Sequence, residues 1–369
     1  MRTSKDELLF RAMEHAVAGR AVEARRALSS LESRLQVDVV PEDLGYHLFA
    51  MAVAHRLEGS GARNPYLNPR VEEGGRQIDL FRSLMTYMPL AATADVLANA
   101  VLEELLGTRG EATLVDVGIG QGRQEARLLR LLSRRGVLPR RLTLVGVDPS
   151  GASLEQAEST VAKVASEVGG TVRFLGVEAP VEEVSEATWS KLRELPGPRV
   201  VNAAFAMHHV AEQPGRAGAA RDEVLRHLRG LDPVGLVLSE PNTDHFGASP
   251  LVRFEHAWRH FTHVFQLLDT LGVPSEERAA IKRFFGREVE DVVGTVDEAA
   301  RCERHETAAT WMERLRRAGF VPLELLERVR PEGVHPALTL RREPGLVGLS
   351  WREEMLVAVL AVRPDIARA

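Results

Sequence analysis

Three glycines at every second position, directly behind a short apolar run, constrain this chain more than any other feature. Residues 114–123 read Leu-Val-Asp-Val-Gly-Ile-Gly-Gln-Gly-Arg. The run contains Asp116; Gly118, Gly120 and Gly122 follow, and leucine- and arginine-rich sequence with helical spacing comes next. Such a pattern specifies a strand, a tight turn and a helix N-terminus. Glycine lets the backbone come close to a ligand where a Cβ would clash. The helix N-terminus behind it offers N–H groups to a polar or negative group.

The spacing separates two cofactor types. A dinucleotide turn, Gly-x-Gly-x-x-Gly, places its third glycine where Arg123 stands. Here the third glycine comes one residue early and an acid precedes the first. That Asp-x-Gly-x-Gly-x-Gly form resembles the first motif of class I S-adenosylmethionine (SAM) methyltransferases.

Composition bounds the partners. With 369 residues the chain has room for one large domain or two, and its 44% hydrophobic content suits a sizeable core. A net charge of −5 supplies no overall positive field. No nucleic-acid partner and no membrane are therefore expected. Cys302 is the only cysteine, which excludes an intrachain disulfide or a cysteine zinc site. Met1 to Phe10 is charged and lacks an apolar signal core, and no apolar run approaches the ~20 residues of a membrane span. The expected location is cytoplasmic. Basic residues are nearly all arginine, a bias that with the abundant Ala, Gly and Leu suggests a GC-rich bacterial genome.

Residues 1–106 carry helical periodicity, broken by a loop at 64–69 and notched at Pro89. From 113 the texture changes to short apolar runs at 113–117, 142–147, 171–175, 199–205 and 234–239, with helix-like sequence between most of them. Segment 249–301 is helical again. A helix near 307–318 and strand-like runs at 321–327, 335–341 and 355–362 follow. The expected fold is α/β: a Rossmann-like class I methyltransferase sheet with helices on both faces, plus a helical cap. The divisions are a helical region over 1–110, a SAM-binding α/β core over 111–244, a helical insertion over 245–305 and the rest of the core over 306–369.

Within that core the cofactor site assembles in order. Asp116, Gly118, Gly120 and Gly122 form the turn. Asp148, followed by Pro149, ends the second strand, where an acid can accept hydrogen bonds from both ribose hydroxyls. Val177 and Glu178 end the third strand, which borders the adenine in methyltransferases. Asn202 and Ala204 lie on the fourth. The expected cofactor is SAM, with S-adenosylhomocysteine as product.

Several segments carry a closer resemblance. Val201-Asn202 through Phe205 with Met207-His208, the run Glu240-Pro241-Asn242-Thr243-Asp244-His245, and Glu303-Arg304-His305-Glu306-Thr307 with Trp311, Arg314 and Ala318-Gly319-Phe320 are similar to GRAS-domain proteins. So is the helix Thr93 to Ala100. The resemblance covers roughly residues 75–360. GRAS proteins are known best as plant regulators and also occur in bacteria. Plant members generally lack an intact glycine turn, whereas this chain keeps all three glycines and the acid. The family's closing Ser-Ala-Trp is replaced by Ala361-Val362-Arg363.

Histidines cluster behind the strands, and histidine suits a base because its pKa lies near 6.5. His208 or His245 is the expected base, with Glu240 orienting or charging the site. His208 and His209 on one strand end cannot point the same way, so one of them is structural. His256, His260 and His263 have helical spacing that could bind metal, but an aromatic-packed or solvated face is the preferred reading, and no metal is expected. The resulting expectation is a SAM-dependent methyltransferase acting on a small-molecule acceptor in a capped pocket. Its rival is a non-catalytic, ligand-binding regulatory protein of the GRAS type. The oligomeric state is open, a homodimer among the options.

Overall fold

The computed structural model describes residues 3–59, 84, 87–107, 110–212 and 218–365. The loop expected at 64–69 lies outside them. The chain forms two compact units, each built from two stretches: Met1–Ala91 with Thr243–Glu306, and Ala92–Asn242 with Thr307–Ala369.

The first unit is helical. Helix Lys5–Val17 starts in a capping box: the Ser4 hydroxyl accepts from Glu7 N, and Glu7 Oε2 accepts from Ser4 N. Helices Ala21–Glu32 and Asp43–Glu58 follow, the latter closed by Gly59 in the left-handed conformation. Pro250, with no N–H to lose, opens helix Pro250–Thr270, and helix Ser275–Val289 runs into a π turn at Glu290–Gly294. The core is aromatic. Phe49 is fully buried, with Trp258 edge-on at 4.9 Å, and Phe10 meets Phe254 at 5.1 Å.

The second unit is a mixed α/β fold around one sheet. Strands β1 (Glu111–Val117), β2 (Arg141–Asp148), β3 (Val172–Glu178), β4 (Arg199–Ala204) and β5 (Gly235–Pro241) are parallel. The remainder are β6 (Phe320–Pro322), β7 (Thr339–Glu343), β8 (Leu346–Trp351) and β9 (Glu354–Pro364). The order is β3-β2-β1-β4-β5-β9-β8-β7, with β6 on β9, and β9 antiparallel to β5. Order reverses between β1 and β4, so their carboxyl ends flank the switch point where open α/β sheets bind ligands. Val115, Val145, Val201, Leu236 and Trp311 belong to one buried core. At the expected notch the chain is helical at Leu84 and Tyr87, breaks at Met88 and restarts as helix Pro89–Leu106.

The C-terminal strands depart from the expected runs. Only Phe320–Pro322 of the 321–327 region pairs with β9, and Leu325–Arg328 is a helical turn. The strand expected at 335–341 starts at Thr339. Strand β8, Leu346 to Trp351, is buried throughout, but Gly348 and Ser350 interrupt its apolar run and hide it in the sequence. The turn dipeptide Pro344-Gly345 was its signal, with Gly345 at φ 70° closing the β7–β8 hairpin. Among the described residues no helix is long and apolar enough to cross a membrane.

Candidate functional site

The glycine turn leaves the carboxyl end of β1 with Gly118, Gly120 and Gly122 at φ 75°, 53° and 70°. The three do different work. A Cβ on Gly118 would lie 2.4 Å from Ala206 Cβ, and one on Gly122 3.1 Å from the Ala157 backbone. Those two glycines permit close packing. A Cβ on Gly120 would meet nothing within 4 Å, so the middle of the turn opens on free space. Gly122 then N-caps helix Arg123–Arg135 without a side-chain cap.

Asp148 ties this turn to the end of β2. Its Oδ2 accepts from Gly120 N at 3.0 Å and its Oδ1 from Ser150 N at 2.9 Å. Burial raises its pKa, and those two bonds oppose the rise. Each oxygen retains acceptor capacity for a hydroxyl. Glu178 stands opposite Asp148 in the β2–β3 register. It is exposed, and its Oε1 lies 2.8 Å from where a Gly151 Cβ would be, at the start of helix Gly151–Val168. Pro149 is exposed, while Val177 and Ala204 are half-buried.

Asp116 and Asn202, both expected to hold the cofactor, are bonded to each other and to the helix behind the turn. They are register partners on β1 and β4, and both are buried. Asn202 Nδ2 donates to Asp116 Oδ2 at 2.8 Å and to Gln124 Oε1 at 3.3 Å, and Gln124 Nε2 donates to Asn99 Oδ1 at 3.2 Å. Glu125 hydrogen-bonds to Asp116. Burial pushes Asp116 up to about 6 and Glu125 well above its usual value, so the pair holds a proton between two carboxyls. Sequence reading missed Gln124 and Glu125. An acid in a helix's first turn normally faces water, and nothing in its spacing marks this one as buried.

Strand β4 stops at Ala204, and Phe205 takes a positive φ of 54° that turns the chain into a 3-10 turn over Met207–His209. The two histidines therefore do not sit on a strand end, as the sequence reading had it. Their rings stand side by side, 3.9 Å between centroids. His208 Nδ1 meets Glu240 Oε2 at 2.5 Å. Glu240 Oε1 accepts from Ala206 N at 3.2 Å and from Met207 N at 2.8 Å. Glu240 is 1% exposed, and all three of these bonds hold the end of β4 against the end of β5. Glu240, expected to orient or charge the site for a His208 or His245 base, thus also clamps the two strand ends. Arg221, also unforeseen, donates to the His208 carbonyl at 3.2 Å and lies over the Trp311 ring.

His245 belongs to the helical unit. Its Nδ1 meets His305 Nδ1 at 2.9 Å and its Nε2 meets Thr243 Oγ1 at 3.2 Å. Burial first, then neighbouring His260 and Arg301, holds its pKa well below 6.5. The helix histidines go separate ways. His256 bonds to the Asp244 carbonyl, His260 packs edge-on to Phe261, and His263 bonds to the Arg259 carbonyl. Burial, with Asp291 and Glu303 nearby, pushes the Cys302 thiol up to about 12, which disfavours its thiolate.

Comparison with known proteins settles the family. The GRAS domain family matches residues 5–361, and the chain belongs to it. It is 27% identical over 324 residues to the DELLA protein RGL3 of Arabidopsis thaliana, covering 85% of this chain and 60% of that protein. It is 26% identical to the Scarecrow-like transcription factor PAT1 of Arabidopsis thaliana, covering 92% and 72%. The chain thus spans about three fifths of the first relative's length. The crystal structure of SCL7 from Oryza sativa superposes with a TM-score of 0.78 at 23% identity, over 98% of this chain and 100% of that one, which shows the fold. A plantazolicin methyltransferase reaches only 0.41 and carries no argument.

These findings correct the functional expectation. Named relatives are plant GRAS regulators rather than enzymes, so the methyltransferase reading is overturned. The small-molecule substrate goes with it. The exclusion of nucleic acid also fails, because a relative covering 92% of the chain is named a transcription factor. Net charge was a poor guide, since it averages over the whole surface.

Proposed function

We propose that this chain is a non-catalytic, ligand-binding regulatory protein of the GRAS type. Its sheet unit takes an adenosyl ligand, SAM or S-adenosylhomocysteine, at a turn of class I methyltransferase type. The open space over Gly120, beside the Asp148 carboxylate, carries this reading. Gly120 is glycine for its positive φ, and its open side leaves room for a ligand beside Asp148. In the complex Asp148 would accept from the ribose, Val177 and Glu178 would border the base, and the start of helix Arg123–Arg135 would face the ligand's polar end. The chain's effect on a protein or nucleic-acid partner would then depend on that ligand. The arginine-rich composition supports a bacterial source, where an intact turn would have been kept.

Calorimetric titration with S-adenosylhomocysteine and with SAM tests this. Micromolar binding is expected, weakened at least tenfold in Gly120→Ala, whose Cβ enters the open space, and in Asp148→Ala. No heat with either ligand overturns the adenosyl site. Steady conversion of SAM to S-adenosylhomocysteine with an added acceptor overturns the non-catalytic part.

A further inference from the structure

The helical unit holds a side-chain cluster that the glycine turn does not use. Glu288 stands in the last turn of helix Ser275–Val289, immediately before the π turn Glu290–Gly294. Such π turns recur at functional sites. Glu303 and His305 lie further along the same unit, and both are buried. One carboxylate oxygen from each glutamate and one ring nitrogen of His305 lie within 4.8 Å of one another.

The distances suit an ion. His305 Nε2 is 3.5 Å from Glu303 Oε2. Two ligand atoms at ordinary zinc distances and the tetrahedral angle stand about 3.4 Å apart. Those two atoms are therefore already spaced as ligands of one ion. Glu288 is half-buried at a helix end, and its carboxylate oxygen lies within 4.8 Å of both.

The hydrogen bond on His305 Nδ1 is compatible with Nε2 facing an ion beside Glu303. With the Nε2 lone pair given to an ion, Nδ1 carries the proton and donates to His245 Nδ1 at 2.9 Å. His245 is then protonated on Nε2 and donates to Thr243 Oγ1 at 3.2 Å. One tautomer set is consistent with both of these bonds. Metal-bound histidines are oriented by partners of this kind. The backbone is anchored as well: Glu303 N donates to Asp291 Oδ2 at 2.6 Å, and the His305 carbonyl accepts from His245 N at 2.9 Å.

We propose that Glu288, Glu303 and His305 bind one divalent transition-metal ion, with water completing its coordination. Two carboxylates and an imidazole suit Zn²⁺ or Mn²⁺, and are unlike the all-oxygen sites of Ca²⁺ and Mg²⁺. The sequence reading expected no metal because it weighed only the 256, 260 and 263 histidines, whose rings diverge.

The full chain, stripped with a chelator and returned to metal-free buffer, is titrated with ZnCl₂ and with MnCl₂ by calorimetry. Metal content after gel filtration is counted by mass spectrometry. One ion per chain with micromolar or tighter affinity is expected for at least one metal, weakened tenfold or more in Glu288→Gln and in Glu303→Gln. Glu288→Gln is the decisive variant, because a half-buried helix-end amide leaves the circular dichroism native. Absence of stoichiometric binding by both metals, or binding that survives both glutamine variants, overturns the site. Asp148→Ala should leave metal binding unchanged, so failure here and failure of the adenosyl reading are separately visible.

Discussion

The two units hold themselves together by different means. The sheet unit follows sequence order closely: β1 to β5 come from one continuous stretch, and its key turn is ten consecutive residues. The helical unit joins stretches more than 150 residues apart and stitches them with buried polar pairs. Lys282 bonds across to the Pro41 carbonyl and Arg56 to the Val293 and Thr295 carbonyls, while within the second stretch Arg253, 2% exposed, bonds to the Val292 carbonyl and makes a paired contact with Glu298. A repetitive backbone ladder satisfies its own polar groups. Helix packing between distant segments leaves loop carbonyls and N–H groups that side chains must satisfy instead.

Substitutions can break this comparison. Glu240→Ala should have the largest effect, about 3–5 kcal/mol lost in urea unfolding, because it strands two buried N–H groups and His208 together. A loss below 1 kcal/mol would show that water replaces the clamp. Gly118→Ala should cost about 2–4 kcal/mol, from overlap with Ala206 and the positive φ. Arg253→Ala should cost about 2–3 kcal/mol, since half-exposed Glu298 regains water. If it matched or exceeded Glu240→Ala, the helical unit would be the more dependent on its polar pairs.

A pH series sharpens the same contrast. Burial, reinforced by Glu303, pushes Asp291 up to about 7, and burial pushes Asp116 up to about 6. Each native carboxyl keeps its proton where the unfolded chain, with a carboxyl pKa near ~3.9, has lost it. Stability should therefore fall as pH rises from about 4 to about 6 or 7, by up to about 1.4 kcal/mol per pH unit for each such proton. Asp291→Asn should reduce the slope in the upper part of that window and leave the part that Asp116 and Glu125 carry. Unchanged slopes would show that neither proton is retained. Gly120→Ala should have the smallest effect on stability, about 1 kcal/mol of backbone strain, despite weakening ligand binding.

Legibility followed locality. The five parallel strands and the turn were readable because short apolar runs and a glycine pattern are properties of neighbouring residues. Strand β8 was not, since Gly348 and Ser350 interrupt its apolar run. Asp148 was found as an acid ending a strand. Glu125, Arg221 and Asp291 were missed because each is a charged residue in sequence that looks solvent-facing, and only a distant partner makes its burial tolerable. The GRAS segments around Glu240 and Glu303 were recognisable, but their roles as clamp and anchor were not.

By itself the sequence determined the α/β core, the glycine turn and the family. Each depends on residues close together along the chain, where spacing dictates backbone geometry. Tertiary structure decided what the charged and histidine side chains do. It paired Asp116 with Asn202, spent Glu240 on backbone N–H groups and set His245 against His305. A side chain's chemistry depends on its burial and on partners tens to hundreds of residues away, and those are fixed only when the chain closes on itself.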